Sequence, residues 1–171
     1  SLDRPNMYWY EMSATTLADI VISLNPDKKL CLFKLKDRSF VNQRLIRFTV
    51  KRKDDIEIHH ALLNSVISMF FIEALGFGRG MGALDLNATK ISKKMHMLNI
   101  DLLDAIDKKE VVNSFKPLLS RAPMKLIDEL KQPDRIEFDK KILTIFKIDL
   151  KVETIYDSLL KLQNIRLTAL D

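Results

Sequence analysis

The stretch between residues 55 and 75 constrains the fold most, because 13 of its 21 side chains are apolar and four of the polar ones share one narrow stripe. Asp54 is a suitable N-cap, and Glu57 follows three residues later in a capping-box arrangement. A helix of this composition must be buried on most of its sides. The sequence therefore predicts a central helix that packs on a sheet and ends at Gly76. Its polar side chains fall on one narrow stripe: Glu57, His60, Asn64 and Ser68.

Residues that precede this helix have the composition of β-strands. The clearest case is the segment 45–50, where apolar side chains at every second position alternate with Arg47 and Thr49. Lys34 and Lys36 share a face of an earlier strand in the same way. We therefore expect a sheet with one packed face and one face rich in cations. The predicted strands are 7–12, 18–23, 30–35 and 45–50.

From about residue 105 the pattern is helical, and Pro117, Pro123 and Pro133 separate three predicted helices. The sequence thus predicts an α+β fold, in which a mostly antiparallel N-terminal sheet packs on a long buried helix and a C-terminal helical bundle follows. We expect an α+β module over residues 1–104 and a helical extension over 105–171 that packs on it. The two parts could equally form one continuous domain.

The net charge of +5 is distributed unevenly along the chain. Residues 28–53 contain ten lysines and arginines against one aspartate, and residues 76–97 contain four against one. From residue 98 onward the two signs cancel. Two solvated surfaces are one interpretation of these basic blocks, and a single positive face for a polyanion is the sharper one.

Several kinds of site are disfavoured by composition. Cys31 is the single cysteine, so no disulfide can form within the chain, and a reducing compartment such as the cytoplasm is expected. No apolar run approaches the ~20 residues of a membrane span. Three histidines, two of them adjacent, do not suggest a metal site.

All four glycines lie between residues 76 and 82, around Arg79. A dinucleotide-binding loop needs a strand before such a run and a helix after it, whereas here a predicted helix precedes it and a short strand at 83–86 follows. We therefore expect a loop whose backbone can approach a phosphate or a base closely. Asp134, Asp139 and Lys141 match a metal-nuclease pattern in letters only, and we interpret them as charges on a helix surface.

Four segments taken together resemble the C-terminal target-recognition region of N6-adenine DNA methyltransferases, notably the fused restriction–methylation enzymes of type IIG. The resemblance extends over roughly residues 4–170 and includes the last helix, which ends near Arg166. In place of a proline-containing piece of that family, this chain has Met-His-Met-Leu-Asn at 95–99. The matching segments are Arg-Pro at 4–5 with Tyr-Trp-Tyr at 8–10, Phe-Val-Asn-Gln-Arg at 40–44, Ala-Leu-Leu-Asn-Ser at 61–65, and Gly-Arg-Gly at 78–80 with Gly-Ala-Leu-Asp-Leu at 82–86.

The resemblance implies that the chain recognises double-stranded DNA for an adenine-specific methyltransferase in restriction–modification. The catalytic half of such enzymes has an Asn/Asp-Pro-Pro-Tyr/Phe motif, and this sequence has no adjacent prolines. The resemblance therefore implies a recognition module without catalytic residues or a cofactor of its own. S-adenosylmethionine and the flipped adenine would belong to a catalytic methyltransferase domain of the same parent chain.

The expected DNA contacts are basic and amide side chains of the two positive blocks. Gln43 and Arg47 are expected to reach base edges, because glutamine suits adenine and arginine suits guanine. Arg79 is expected to enter a groove, and Arg44 to contact the backbone or support the structure. Phosphate contacts are expected from Lys34, Lys36, Arg38, Lys51, Arg52, Lys53, Lys90 and Lys93.

Two other classes of function stay open. The electrically neutral helical part would also suit a subunit-docking module of a restriction–modification complex. A small-molecule enzyme is disfavoured, because the sequence offers no convincing acid–base cluster. Glu57 with His60 or Asn64 is better interpreted as a satisfied polar stripe than as a catalytic pair.

Overall fold

A computed structural model describes residues 17–79 and 83–168 of the chain. Among these residues the strands form one three-stranded sheet and one two-stranded hairpin, and helices make up most of the rest. The architecture is α+β, as the sequence predicts. The predicted strand at 7–12 lies outside the described residues.

The three-stranded sheet is antiparallel, with β1 (Leu17–Ser23) between β2 (Phe33–Phe40) and β3 (Leu45–Phe48). An irregularity in the β1–β2 pairing shifts the register between Ala18 and Ile20. The segment 30–32, predicted to open a strand, is irregular instead. Its backbone is held by Asn64, whose Oδ1 accepts from the Leu32 N–H at 2.9 Å and whose Nδ2 donates to the Leu32 carbonyl at 3.0 Å.

The predicted central helix is divided into α1 (Ile56–Leu63) and α2 (Val66–Leu75), which are bent by 71° from one another. The bend lies at Asn64 and Ser65, whose side chains form hydrogen bonds that compete with continued helix. Ser65 caps α2, and its hydroxyl donates to the Leu62 carbonyl at 2.7 Å. The polar stripe is buried at His60, Asn64 and Ser68.

Phe77–Arg79 (β4) and Ala83–Asp85 (β5) pair antiparallel, and we call this pair the β4–β5 hairpin; helix α3 (Ala88–Lys94) follows it. Gly76 ends α2 as predicted, but not by adopting a left-handed conformation, since its φ is −69°. A Cβ atom at this position would lie 2.3 Å from Leu84 Cδ1 and 3.1 Å from Leu86 Cδ2. Glycine is therefore needed here for the close approach of the hairpin to the end of α2.

The C-terminal part contains four helices: α4 (Ala105–Leu119), α5 (Leu126–Glu129), α6 (Pro133–Ile145) and α7 (Val152–Thr168). Short 3₁₀ helices precede α1 at Lys53–Asp55 and α4 at Ile100–Leu102. Pro133 opens α6, as predicted, whereas Pro117 lies inside α4 near its end.

The bend between α1 and α2 divides the buried apolar residues into two cores. The sheet core contains Ile20, Ile46, Met69 and Ile72 together with residues of α7, such as Leu159. The bundle core joins residues of α1 to residues of α4 and α6: Ile58, Leu62, Val111, Phe115, Phe138 and Ile142. Each core contains residues from both sides of residue 104. A domain boundary at that residue stays a prediction.

Within the described residues, no single helix is both long and apolar enough to cross a membrane. The segments 53–63 and 66–75 meet that test only as a bent pair, and the larger part of their apolar side chains is buried in the two cores.

Candidate nucleic-acid interface

Two neighbouring depressions lie along the open edge of β3, which pairs only with β1 among the described strands. Helix α3 and the segment 95–101 line their other side. One part has a volume of about 480 Å³ and the other of about 650 Å³. Phe48, Thr49 and Met97 line both parts. We call this feature the β3–α3 groove.

Four of the residues predicted to contact DNA line this groove. Gln43 and Arg47 lie in the part beside α3, and Lys51 and Arg52 lie in the part beside the 3₁₀ helix Ile100–Leu102. Side chains of both alternations of β3 reach it, because the groove follows the edge of the strand and not one of its faces. The arrangement puts exposed polar groups along an apolar floor that includes Phe48 and Met97.

The turn before β3 presents Gln43 and Arg44 to solvent. Asn42 shapes this turn, since its side-chain Oδ1 accepts from the Arg44 N–H at 2.9 Å and its carbonyl accepts from the Leu45 N–H at 3.0 Å. The Arg44 carbonyl in turn accepts from the Leu24 N–H at 2.8 Å. Asn42 therefore has a structural role that places two exposed side chains at one end of the groove.

The β4–β5 hairpin is anchored at the same end. The Leu86 N–H donates to the Leu24 carbonyl at 2.9 Å, and the Asn25 amide donates to Asp85. The Leu24 carbonyl thus bonds to Leu86, which follows the hairpin, and the Leu24 N–H bonds to Arg44, which precedes β3. The backbone of Arg79 pairs with that of Ala83, and its side chain lies outside the described part of the structure.

Arg52 spans the far end of the groove. Its guanidinium donates to Asp55 on one wall and to Asp101 on the other, the latter at 3.3 Å. Hydrogen bonding to Asp55 raises the pKa of Arg52. His59 lines the same end, half-buried, and its burial lowers the pKa of the imidazole. The sequence predicts that Arg52 contacts phosphate, but in this structure its guanidinium forms ion pairs with two carboxylates of the chain, Asp55 and Asp101.

Two further cations from the predicted set form ion pairs away from the groove. Arg38 makes two hydrogen bonds to Asp19, at 2.8 and 2.6 Å, and a third to the Val50 carbonyl at 2.8 Å. This bonding lowers the pKa of the Asp19 carboxyl. Lys34 pairs with Glu57 of α1. Both cations thus tie the sheet to neighbouring chain segments.

The expectation of one cation-rich face is wrong for Lys34 and Arg47. Directly opposed residues of neighbouring strands share a face. Lys34 is opposed to the buried Ile20, whereas Arg47 is opposed to Val21, so the two cations lie on opposite faces. The β1–β2 pairing contains an irregularity between Ala18 and Ile20. The alternation of side chains in the sequence does not show where such an irregularity shifts the register.

The remaining predicted cations are exposed or half-buried at separate positions. Lys36 and Lys53 are exposed on β2 and in the 3₁₀ helix that precedes α1. Lys90 is half-buried and Lys93 is exposed on α3. Because the groove contacts α3 through Ala88, Ile91 and Met95, the helical repeat directs these two lysines away from it.

A second charged region lies at the bend between α1 and α2, and sequence reasoning missed it. Arg135 is buried, donates to Glu129 at 3.1 Å and to the Asn64 carbonyl at 2.6 Å, and lies 3.8 Å from Asp139. Asp139 accepts from the Val66 N–H at 2.9 Å. We call this the Arg135 cluster; its members are Arg121, Glu129, Asp134, Arg135 and Asp139.

The interpretation of Asp139 as a helix-surface charge is therefore wrong. Its side chain is fully buried, and burial raises its pKa to about 6. Tyr156 donates to its Oδ2 at 2.8 Å. Asp134 is half-buried and bonded to Arg121, and Lys141 pairs with Glu110. These three residues form ion pairs within the chain.

Among the described residues no group of three or more histidine, cysteine or acidic side chains is arranged to hold a metal ion. Comparison of the chain with models of protein families, with curated proteins and with solved structures gives no match.

Proposed function

We propose that this chain binds double-stranded DNA as the target-recognition domain of an adenine-specific DNA methyltransferase in restriction–modification. The observation that carries the proposal is the β3–α3 groove, which gathers Gln43, Arg47 and Lys51 along one exposed strand edge. The resemblance in sequence supplies the class of enzyme. S-adenosylmethionine and the catalytic step would belong to a methyltransferase domain of the parent chain, in the cytoplasm.

The proposed interface divides base contacts from backbone contacts. Arg47 and Gln43 are suited to base edges, because each can form two hydrogen bonds to a purine. Arg44, at the end of the groove, and Lys51, along it, are suited to phosphates on either side of the bases that are read. Lys36, Lys53, Lys90 and Lys93 would add more distant phosphate contacts, which contribute affinity without sequence preference.

Three predicted contacts are assigned structural roles in this proposal. Each of them has a carboxylate partner in the chain: Lys34, Arg38 and Arg52. To bind a phosphate, each would first have to break its ion pair with that carboxylate. Losing a charge-assisted pair offsets much of the gain from a new one. We therefore expect these three cations to support the sheet and the groove walls.

Fluorescence anisotropy with a labelled duplex over a range of salt concentrations tests the proposal. Six to ten phosphate contacts would reduce the affinity by about 10³–10⁵ between roughly 50 and 200 mM salt. The double variant Arg47→Gln/Lys51→Gln should reduce the slope of log K against log salt by about 1, because Lys51 is the member of the pair assigned to a phosphate, and it should relax the sequence preference through the loss of Arg47. Lys109→Gln, which removes an exposed charge from α4, is the matched control.

An unchanged slope in the double variant would contradict the assigned interface. Absence of binding to any duplex at low salt would contradict DNA recognition itself. A slope that Lys109→Gln lowers as much as the double variant does would show that net charge, and not the groove, determines binding.

One observation favours a subunit-docking module as the second candidate. Leu102 and Ile106 are about three-quarters exposed, at 74% and 75%, and lie four residues apart where α4 begins. Exposed neighbouring apolar side chains of this size are typical of protein–protein contacts. The same titration separates the candidates, because a docking module would bind duplex DNA weakly and without dependence on Arg47 and Lys51.

A further inference from the structure

At the far end of the β3–α3 groove, Arg52 bonds to two carboxylates that differ in exposure. Its guanidinium donates through Nε to Asp55 and through a terminal nitrogen, Nη2, to Asp101. The side chain of Asp55 is 14% exposed, whereas that of Asp101 is 72% exposed and reaches Arg52 from the other side of the groove. A ligand from solvent can therefore compete with Asp101 far more easily than with Asp55.

The contact between Arg52 and Asp101 is also long. The 3.3 Å between Nη2 of Arg52 and Oδ1 of Asp101 exceeds the ~2.7–2.9 Å of a strong charge-assisted hydrogen bond. Ion pairs between exposed side chains contribute little to stability, because both groups lose hydration and rotamer freedom when they pair. Arg52 can consequently release Asp101 at a small cost while it keeps its bond to Asp55.

Release of Asp101 requires no movement of the backbone. The Asp101 N–H donates to Asn99 Oδ1 at 3.0 Å, and Asn99 caps the 3₁₀ helix that begins at the buried Ile100. On the other side of the groove, the Arg52 carbonyl accepts from the Asp55 N–H at 3.0 Å. Rotation of the two side chains alone therefore opens or closes the contact.

The carboxylate of Asp101 occupies a position that suits a phosphate. Like a phosphate oxygen, it is an anionic acceptor opposite a terminal nitrogen of an arginine, a group that binds phosphate in the same way. Two further donors line the same part of the groove. Lys51 is exposed, and the half-buried His59 has a ring N–H in every protonation state. A phosphate in place of the carboxylate would thus lie among three nitrogen-bearing side chains.

From these observations we infer that Arg52, Lys51 and His59 form a phosphate-binding site, which Asp101 blocks until a phosphate takes its place on Arg52. The inference rests on the proposed function, in which the phosphate belongs to the backbone of the bound duplex. Arg52 keeps its structural bond to Asp55 throughout, and it becomes available to DNA only when Asp101 leaves. Asp101 therefore lowers the affinity of the groove for DNA.

The substitution Asp101→Asn tests this role, because it removes the charge and keeps the shape of the side chain. Fluorescence anisotropy with the labelled duplex should show an affinity about two- to fivefold higher than that of the unmodified chain, which corresponds to the usual strength of one exposed ion pair. Asp157→Asn makes the same change of net charge at an exposed position of α7 and is the matched control. It should leave the affinity nearly unchanged, because salt screens a charge outside the groove.

A double-mutant cycle with Arg52→Gln separates release of Arg52 from simple repulsion between Asp101 and DNA. In the Arg52→Gln chain, Asp101→Asn should lose most of its gain in affinity, because no guanidinium is left to be released. Thermal unfolding of each variant checks that it is folded. An equal gain with and without Arg52 would overturn the inference, as would the absence of any gain from Asp101→Asn.

Titration with inorganic phosphate tests the site without DNA. The ¹⁵N–¹H resonance of the Arg52 Nε–H group should move in the Asp101→Asn chain at a phosphate concentration about two- to fivefold lower than in the unmodified chain. The corresponding resonance of Arg121, which is bonded to Glu129 and Asp134, should stay fixed in both chains and is the internal control.

The two measurements distinguish failure of the inference from failure of the proposed function. If the unmodified chain binds duplex DNA and Asp101→Asn gives no gain, the inference is overturned and DNA recognition is not. If neither chain binds a duplex at low salt, the proposed function is overturned and the phosphate titration decides the site by itself. An Arg52 resonance that phosphate does not move in the Asp101→Asn chain would overturn the site.

Discussion

The β3–α3 groove and the Arg135 cluster both contain basic residues, which are exposed in the groove and buried beside carboxylates in the cluster. Arg47 and Lys51 are exposed, and none of the described carboxylates forms an ion pair with them. Arg135 is buried and surrounded by Glu129, Asp139 and the Asn64 carbonyl. The comparison teaches that a basic residue is available to a ligand only where the fold leaves it without a carboxylate. Variants should therefore affect ligand binding in the groove and stability in the cluster.

The largest expected effect is on stability, from Arg135→Met. This substitution leaves the buried Asp139 carboxylate and the Asn64 carbonyl without their cationic partner. Breaking a buried ion pair from one side costs about 3–5 kcal/mol of unfolding free energy. Urea denaturation measures the change. Arg47→Met, in the groove, should stay within about 0.5 kcal/mol of the unmodified chain, as is usual for exposed positions. Equal losses in the two variants would remove the distinction between the regions.

A smaller loss is expected where the hairpin packs on the end of α2. Gly76→Ala would bring its Cβ to 2.3 Å from Leu84 Cδ1, and overpacking of this kind costs about 1–3 kcal/mol. Gly78→Ala is the matched control, since its nearest neighbour is Arg166 Cγ at an ordinary 3.5 Å. Thermal unfolding compares the two. If Gly76→Ala were as stable as Gly78→Ala, the close approach would not explain the glycine.

The smallest effect is the contribution of Asp139 to the pH dependence of stability, which is opposite in sign to that of His59 and His60, whose lowered pKa values destabilise the folded chain as the pH falls. The pKa of Asp139 is about 6 in the folded chain, above its usual 3.8, so the folded state binds a proton first as the pH falls. Stability should therefore rise by ~1 kcal/mol between about pH 7.5 and pH 5 through this group. Asp139→Asn should abolish that rise, and Asp157→Asn, an exposed change on α7, should retain it.

Urea denaturation at the two pH values, for the three proteins in parallel, measures this dependence. A rise that persists in Asp139→Asn would assign the proton to another group of the chain. The groove offers no comparable buried carboxylate, so its variants should change the salt dependence of DNA binding and leave this pH dependence intact.

The sequence was sufficient for features that depend on local pattern. The alternation at 45–50 correctly predicted Ile46 inward and Arg47 outward, because strand side chains alternate with period two. The short strand after the glycines was also predicted, and the structure confirms it. Asn87 caps the following helix, α3, by accepting from the Lys90 N–H at 2.9 Å.

Features that depend on distant partners were not predictable in this way. Arg166 donates to Glu73 at 2.7 Å, although the two residues are 93 positions apart, and both are buried. Sequence periodicity carries no signal for such a pairing, so Arg38 and Arg47 look alike until the fold brings Asp19 beside only one of them. The bend at Asn64 was also missed, because its cause is hydrogen bonding to the segment 30–33 and to Arg135.

The 71° bend between α1 and α2 has a consequence for how the molecule unfolds. The segment 56–75, which the polar residues Asn64 and Ser65 interrupt, supplies Leu62 to the bundle core and Val66 to the sheet core, four residues later. Neither core can lose its part of that segment without disturbing the other. Melting of the helical part and of the sheet should therefore coincide in one cooperative transition, and a fragment that stops at residue 104 would expose the inner side of α1 to water.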